Sequence, residues 1–366
     1  RLIIVKNCYG DLLQVKDKIQ LLIPFTPLIA VFIVLILRPY FLFPVGGDTD
    51  FHLARAQEII QNPFWGLFWD NITYYPMGRP VWHQPLFNAV YAGLWYLAGV
   101  RFAHSFLCIF QVLLTVGVAS WFANREYGIF AGYFAGLFSL AMPAPSTLTA
   151  AIPAAYIPIL AVLTIYYIPQ DKKKAFLASL VGLWTHMVAL FCFIPLYLVD
   201  NYRDKTNLKI IALLLPSWLF WAVYWVYFKD RLVTGGIFYT LTHLKLVPPH
   251  PGSYAFLIFL AVFFLGIIGL YLLYNSNYRQ FKLFTTYIVI VIFFSFFGFN
   301  GDFLRGFQFA ALPMAILAGF AVERGYKNLS SNRNRLLSSL FLLLMVFISM
   351  MGVVIFFSYL PNQHGK

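Results

Sequence analysis

Apolar stretches of bilayer length recur along the chain from residue 21 to residue 360, parted by short loops that hold most of the Lys and Arg. A hydrocarbon core takes about 20 apolar residues wound as a helix. On that measure the pattern predicts spans at 21–43, 104–122, 128–142, 153–169, 210–228, 255–275, 283–299, 306–322 and 336–359. The first run follows Lys16 and Lys18, is too long for a signal-peptide core and lacks a small-residue cleavage site, so it reads as a retained helix. The chain is expected to form one all-α, polytopic membrane domain over residues 1–366.

Two segments, 85–100 and 175–199, set the sidedness of everything downstream. Short cytoplasmic loops carry the Lys and Arg excess. With the amino terminus inside, a helix at 85–100 lying on the outer surface leaves Arg125, Lys172, Lys173 and Lys174 inside, whereas a crossing would export them. Reading 175–199 as a hairpin of two half-helices also keeps Arg203, Lys205, Lys209, Arg279, Lys282, Arg324, Lys327, Arg333 and Arg335 inside. A half-helix of about 12 residues rises only ~18 Å, so the hairpin cannot cross a full core unless the bilayer thins or its tip, Trp184-Thr185-His186, is buried in protein, and such broken helices point their tip at a cavity. The sum is about 11 membrane-entering segments with an amphipathic juxtamembrane helix after the first span. The long outer loops fall at 43–103 and 229–254, the carboxyl terminus lies outside, and the inner face is expected to hold basic loops without carboxylate or histidine clusters.

Composition agrees with this plan. Residues are 61% hydrophobic, 20% aromatic and only 11% charged, which leaves no room for a large soluble domain. The net charge of +13 sits in the short loops, where membrane orientation explains it and nucleic acid need not. Cys8, Cys108 and Cys192 show no paired spacing and read as core filler.

Acids are scarce, 13 in 366 residues, so two of them placed where the first span emerges, Asp48 and Asp50, stand out. Residues 49–61 read as an amphipathic helix, for which Asp48 is a natural N-cap and Asp50 a favourable first-turn charge. A cap needs only the first of these. Asp48, His52 and Arg55 recur at helical spacing and place a carboxylate, an imidazole and a guanidinium on one stripe at the water boundary. Asp48 and Asp50 are therefore the catalytic candidates, with His52 and Arg55 as substrate-binding ones. Further binding candidates on the same face are His83, within an interfacial loop of turn formers and aromatics at 71–85, and His186 at the hairpin tip. Arg305, at the outer end of a span, is a natural fork for a phosphate, or else a partner for Asp302. Asn71-Ile72-Thr73 matches a glycosylation acceptor, and the Pro-rich stretch 142–158 breaks helices on this face.

The motif Gly47-Asp48 with His52-Leu53 and Arg55, then Tyr74-Tyr75-Pro76-Met77-Gly78 and Pro85-Leu86, resembles the GT-C superfamily of membrane glycosyltransferases, most closely the oligosaccharyltransferase catalytic subunits of the STT3 and AglB type. The likeness continues through Ala123-Asn124-Arg125-Glu126-Tyr127-Gly128 and returns at Trp184-Thr185-His186 and from Arg305 to Pro313. It implies a donor sugar carried on a polyprenyl phosphate or diphosphate, transferred at the extracytoplasmic face of a plasma membrane or endomembrane, with Asp48 at the catalytic centre and Arg305 at the phosphate. In the oligosaccharyltransferases the equivalent Asp helps to hold a divalent metal, Mg or Mn; in several monosaccharide-transferring relatives it acts as a base without metal, so both roles for Asp48 stay open. Two departures stand out: no second acidic motif occurs between 142 and 153, and the Trp-Trp-Asp-Tyr-Gly acceptor-recognition domain has no counterpart. A transporter or lipid flippase, and a non-catalytic GT-C-like subunit of a membrane complex, stay open as alternatives. Membrane lipids are expected partners, and the acceptor is left unnamed.

Overall fold

The structure, a computed structural model, describes residues 22–37, 48–72, 76–81, 84–141, 148, 150–232, 251–297, 303–331 and 335–359. Within them stand thirteen α-helices and a single pair of two-residue strands. The helices are α1 (Thr26–Leu37), α2 (Asp48–Gln61), α3 (Leu86–Ala98), α4 (Val100–Tyr127), α5 (Ile129–Phe138), α6 (Tyr156–Tyr167), α7 (Lys172–Thr185), α8 (Ala189–Asn201), α9 (Lys205–Leu232), α10 (Pro251–Ser276), α11 (Tyr278–Phe297), α12 (Phe303–Ser331) and α13 (Arg335–Tyr359). The expected long outer loop at 229–254 is cut at both ends by α9 and α10, and residues 233–250 lie outside the described residues. Among the described residues five stretches are long and apolar enough to cross a membrane: Val100–Tyr127, Lys205–Tyr224, Leu257–Ser276, Gly306–Ser331 and Leu336–Val354.

Two expected spans are shorter than the pattern suggested. The run at 128–142 yields only α5, ten residues opened by Gly128 at φ 129° and followed by a turn at Ser139 and Leu140. At 1.5 Å per residue that is about 15 Å of helix, half a hydrocarbon core. The run at 153–169 starts as a 3-10 turn, Pro153–Ala155, before the twelve residues of α6. Both are buried on most sides by other helices, which is the condition under which a short helix survives at membrane depth.

Helix α12 is the centre of the bundle: 89% of its apolar stretch is buried, against 22% for α9 and for α13. It touches α4, α5, α6, α10, α11 and α13. Lipid tails are as apolar as Leu, so membrane helices gain from close approach, which small residues allow. Gly319 of α12 faces the Ala131 carbonyl oxygen and Ala135 of α5, with no space for a Cβ. Gly266 and Gly269 of α10 do the same against Met314 and Leu317. Glu323, buried on α12, then accepts the backbone N–H of Ala131 at 3.0 Å and so serves the open amino end of α5 from 192 residues away.

Helices α7 and α8 form the hairpin expected over 175–199, broken at His186, Met187 and Val188. Gly182 lies on the Phe193 ring and the Ser179 hydroxyl meets Tyr197 Oη at 3.0 Å, so the two helices run antiparallel. At the open end of the hairpin, Asp200 accepts from Lys172 at 3.3 Å, from Asn207 at 3.0 Å and from Arg279 Nη2 at 2.9 Å. Gln280 joins Glu126 at 2.5 Å and Tyr127 at 3.0 Å at the same pole. Single carboxylates stand among the Lys and Arg of this pole: Asp200 and Asp204 share Lys172, Asp200 also meets Arg279, and Glu323 meets Lys327.

Gly319→Leu should lower the melting temperature of the purified protein by the equivalent of about 2 kcal/mol, since α5 and α12 cannot separate without repacking. Gly93→Leu, at a position where an added Cβ would meet nothing within 4 Å, should leave it unchanged; equal melting of the two variants would contradict the central role given to α12.

Candidate functional site

The end of the bundle opposite to Asp200 is built on α2. Its inward face carries Thr49, His52, Arg55, Ala56 and Ile59, a helical stripe, and rests on Phe87 and Tyr91 of α3 and on Ala103 and Leu107 of α4. Asp48 and Asp50, in the first turn, are exposed. The sequence stripe of Asp48, His52 and Arg55 therefore turns from water into protein along its length. His52 and Arg55 do not sit at the water boundary as expected: they are 2% and 1% exposed. On a helix, positions two apart diverge while positions four apart are stacked, so Asp48 stands over His52 and Asp50 points away from both.

His52 is held from the side by Asn88, whose Oδ1 lies 2.9 Å from Nδ1, and from below by the edge of Phe87 at a centroid distance of 5.4 Å. Burial pushes its pKa down to about 4, opposed by the Asn88 hydrogen bond and the Asp48 charge and aided by Arg55. The ring is neutral near pH 7.

Arg55 is a clamp on the loop that follows. Nη1 donates to Glu58 and, at 2.7 Å, to the Trp69 carbonyl oxygen, while Nη2 donates to the Gly66 carbonyl oxygen. Glu58 in turn accepts the Asn71 backbone N–H at 2.9 Å. The loop closes as a two-residue antiparallel ladder, β1 (Trp69–Asp70) against β2 (Arg79–Pro80), with buried Asp70 facing Arg79 at 3.5 Å. Gly78, at φ 67°, makes the return possible, since a Cβ there would strike the Trp69 indole. Burial lowers the Arg55 pKa and the Asp70 charge opposes it.

This loop reaches the hairpin tip through aromatic rings. Phe68 meets Phe220 at 6.4 Å and Phe220 stacks on Trp184 at 6.3 Å, while Tyr224 Oη donates to the Phe68 carbonyl oxygen at 3.0 Å. Two residues on, His186 is in extended conformation, 5% exposed, and its Nδ1 receives the Val188 N–H at 3.3 Å. Its ring lies 5.7 Å from Phe309 of α12. In sequence, Arg305 lies four residues before Phe309 on α12. The structure thus brings the α2 loop, the His186 tip and the opening of α12 into one neighbourhood. His83, the motif Gly46-Gly47, Tyr74-Tyr75, Asp302 and most of the 142–149 stretch lie outside the described residues.

Sequence reasoning missed Asn88, Tyr224 and Phe309. Asn88 had a signal, a lone amide in the apolar run of α3; the other two are apolar-looking residues whose roles come only from tertiary contact. As for a metal, no three His, Cys, Asp or Glu side chains gather among the described residues, and Asp48 and Asp50 diverge, so the described donors do not fit a divalent cage.

Two outcomes follow from this geometry. Arg55→Leu should free the loop and cost about 3 kcal/mol by leaving the Gly66 and Trp69 carbonyl oxygens and the Glu58 carboxylate without their guanidinium, and limited proteolysis should then cut within 62–81 faster than in the wild type. Because folded His52 binds its proton only near pH 4 and an unfolded His near 6.5, its contribution to stability is complete above pH 6.5 and is lost as pH falls toward 4. His52→Gln should flatten that limb of a melting-temperature profile; an unchanged slope would contradict a buried neutral ring.

No family profile and no curated protein sequence matches the chain. Solved structures do. ArnT from Cupriavidus metallidurans, in its apo state, superposes over 81% of this chain with a TM-score of 0.54 and 17% identity; the same protein bound to undecaprenyl phosphate gives the same score. Oligosaccharyltransferase AglB from Archaeoglobus fulgidus, in complex with an inhibitory peptide and a dolichol-phosphate, matches over 95% of this chain with a TM-score of 0.64 and 13% identity. The chain spans 59% of the apo ArnT chain and 56% of that AglB chain. It shares the fold of these ArnT and AglB structures.

Proposed function

We propose that the protein is a membrane glycosyltransferase that moves a sugar from a polyprenyl-phosphate carrier to an acceptor at the Asp48 end of the bundle, which we place on the extracytoplasmic side. One observation supports the reading most: an exposed carboxylate heads α2, and a broken hairpin tip at His186 meets Phe309 of α12, within a fold whose solved examples include complexes with undecaprenyl phosphate and dolichol-phosphate.

In this reading Asp48 accepts the proton of an acceptor hydroxyl or amide as its oxygen or nitrogen attacks the anomeric carbon. The bond from that carbon to the carrier's phosphate oxygen breaks, and the phosphate departs with the electron pair. Arg305 is assigned to the leaving phosphate, where a guanidinium fork matches two oxygens. Neutral His52, pinned by Asn88 one turn below, fixes the backbone that presents Asp48; Asp50 directs its charge elsewhere and contributes to the field at the entrance. Arg55 acts through the loop it clamps, and His186 and His83 are assigned to polar contacts with substrate. ArnT and AglB differ in what they transfer, so the sugar and the acceptor follow from side chains that the fold does not fix.

The test is transfer from a synthetic polyprenyl-phosphate sugar by protein reconstituted in nanodiscs, with binding of the unglycosylated carrier followed in parallel. Asp48→Asn should lower transfer by about 100-fold, the low end of what a positioned base supplies, while carrier binding persists. Arg305→Gln should weaken carrier binding. Full transfer by Asp48→Asn would refute the assignment.

A further inference from the structure

At the pole away from Asp48, the ends of α4, α10, α11 and α12 enclose a half-open cavity of about 270 Å³. Charges of both signs line it: Glu126 from α4, and Arg324 and Lys327, one turn apart, from α12. Across the cavity the two signs do not meet: among the described residues no ion pair joins Glu126 to Arg324 or Lys327, and Lys327 is paired instead with Glu323 on its own helix. The carboxylate is instead oriented by an amide. Gln280 donates to Glu126 at 2.5 Å and is itself fixed by the Tyr127 hydroxyl, which donates to its Oε1 at 3.0 Å. Gln280 is 6% exposed and Glu126 and Tyr127 are half-buried, so the amide is held in place at the edge of the bundle. On the other wall, the Arg324 guanidinium rests over the Phe320 ring at 5.4 Å, a contact that positions the charge without neutralising it. Lys327 is shared with Glu323 at 2.9 Å.

We propose that this cavity holds the zwitterionic headgroup of an aminophospholipid, its phosphate against Arg324 and Lys327 and its ammonium against Glu126. Depth decides for a lipid. The lining residues sit where α4 ends at Tyr127, α10 ends at Ser276 and α11 begins at Tyr278, the level at which apolar helices leave the hydrocarbon layer. A ligand with both charges at that level, and acyl chains directed along the helices, is a phospholipid of the leaflet opposite to the reaction. The site would tie α4, α11 and α12 together at one pole while the chemistry proceeds at the other.

The full chain, delipidated in detergent, is titrated with short-chain phosphatidylethanolamine, short-chain phosphatidylglycerol and soluble phosphoethanolamine, with bound species read by native mass spectrometry. Phosphatidylethanolamine should bind in preference to phosphatidylglycerol. Glu126→Gln should weaken phosphatidylethanolamine about tenfold, the scale of one charged contact, and leave phosphatidylglycerol unchanged. Arg324→Gln, at an exposed position that folding does not depend on, should weaken both. Equal binding of the two lipids by the wild type and by both variants would overturn the proposal. Phosphoethanolamine binding as tightly as the lipid, with the same dependence on Glu126 and Arg324, would overturn the bilayer as source while upholding the paired-charge chemistry.

Discussion

How near two helices come inside a bilayer is set by the smallest side chain between them, because no hydrophobic gain remains once both are in lipid. In this chain that limit is reached along α12. Gly319 lets the backbone of α5 in as far as a carbonyl oxygen, and the glycines of α10 let that helix in on the other side. Everything else is arranged about this axis. A ten-residue helix such as α5 cannot hold its place in a membrane alone, and it has no need to, with Gly319 seating it and Glu323 serving its amino end. Helix α12 also carries Arg305 at one end and Arg324 toward the other, so the two poles share one rigid element.

The poles differ in how they use charge. Around Asp200, acids and bases match closely, Arg279, Lys172 and Asn207 all meeting one carboxylate. Around α2, Arg55 also is consumed, by two carbonyl oxygens and Glu58. That leaves Asp48 and Asp50 as the exposed charges at the head of the helix.

Much of the fold was legible in the sequence. The basic loops and the limited length of 175–199 pointed to a hairpin, and α7 and α8 are one. The run at 128–142 misled because hydropathy measures what a residue tolerates and not where hydrogen bonding stops; Gly128 and the turn at Ser139 cut the helix short inside an apolar stretch. The acids of the Asp200 pole have no sequence signal because Asp200 and Glu323 are single letters among basic loops, and their meaning lies in partners 79 and 192 residues away. At the site, the spacing of Asp48, His52 and Arg55 gave the shared helix face. It did not give its direction, since burial of His52 and Arg55 depends on Asn88 and on the carbonyls of Gly66 and Trp69. Asp48 and Asp50 look like a pair when written in a line and are separated by the turn of the helix.

The contact between His186 and Val188 reaches further than the shape of the hairpin tip. A backbone amide can only donate, so the imidazole nitrogen that receives it, Nδ1, must have its lone pair free. In the neutral ring the hydrogen is then confined to Nε2. In the reading proposed above, His186 then meets a bound molecule by donating a hydrogen, and proton uptake is assigned to the carboxylate on α2.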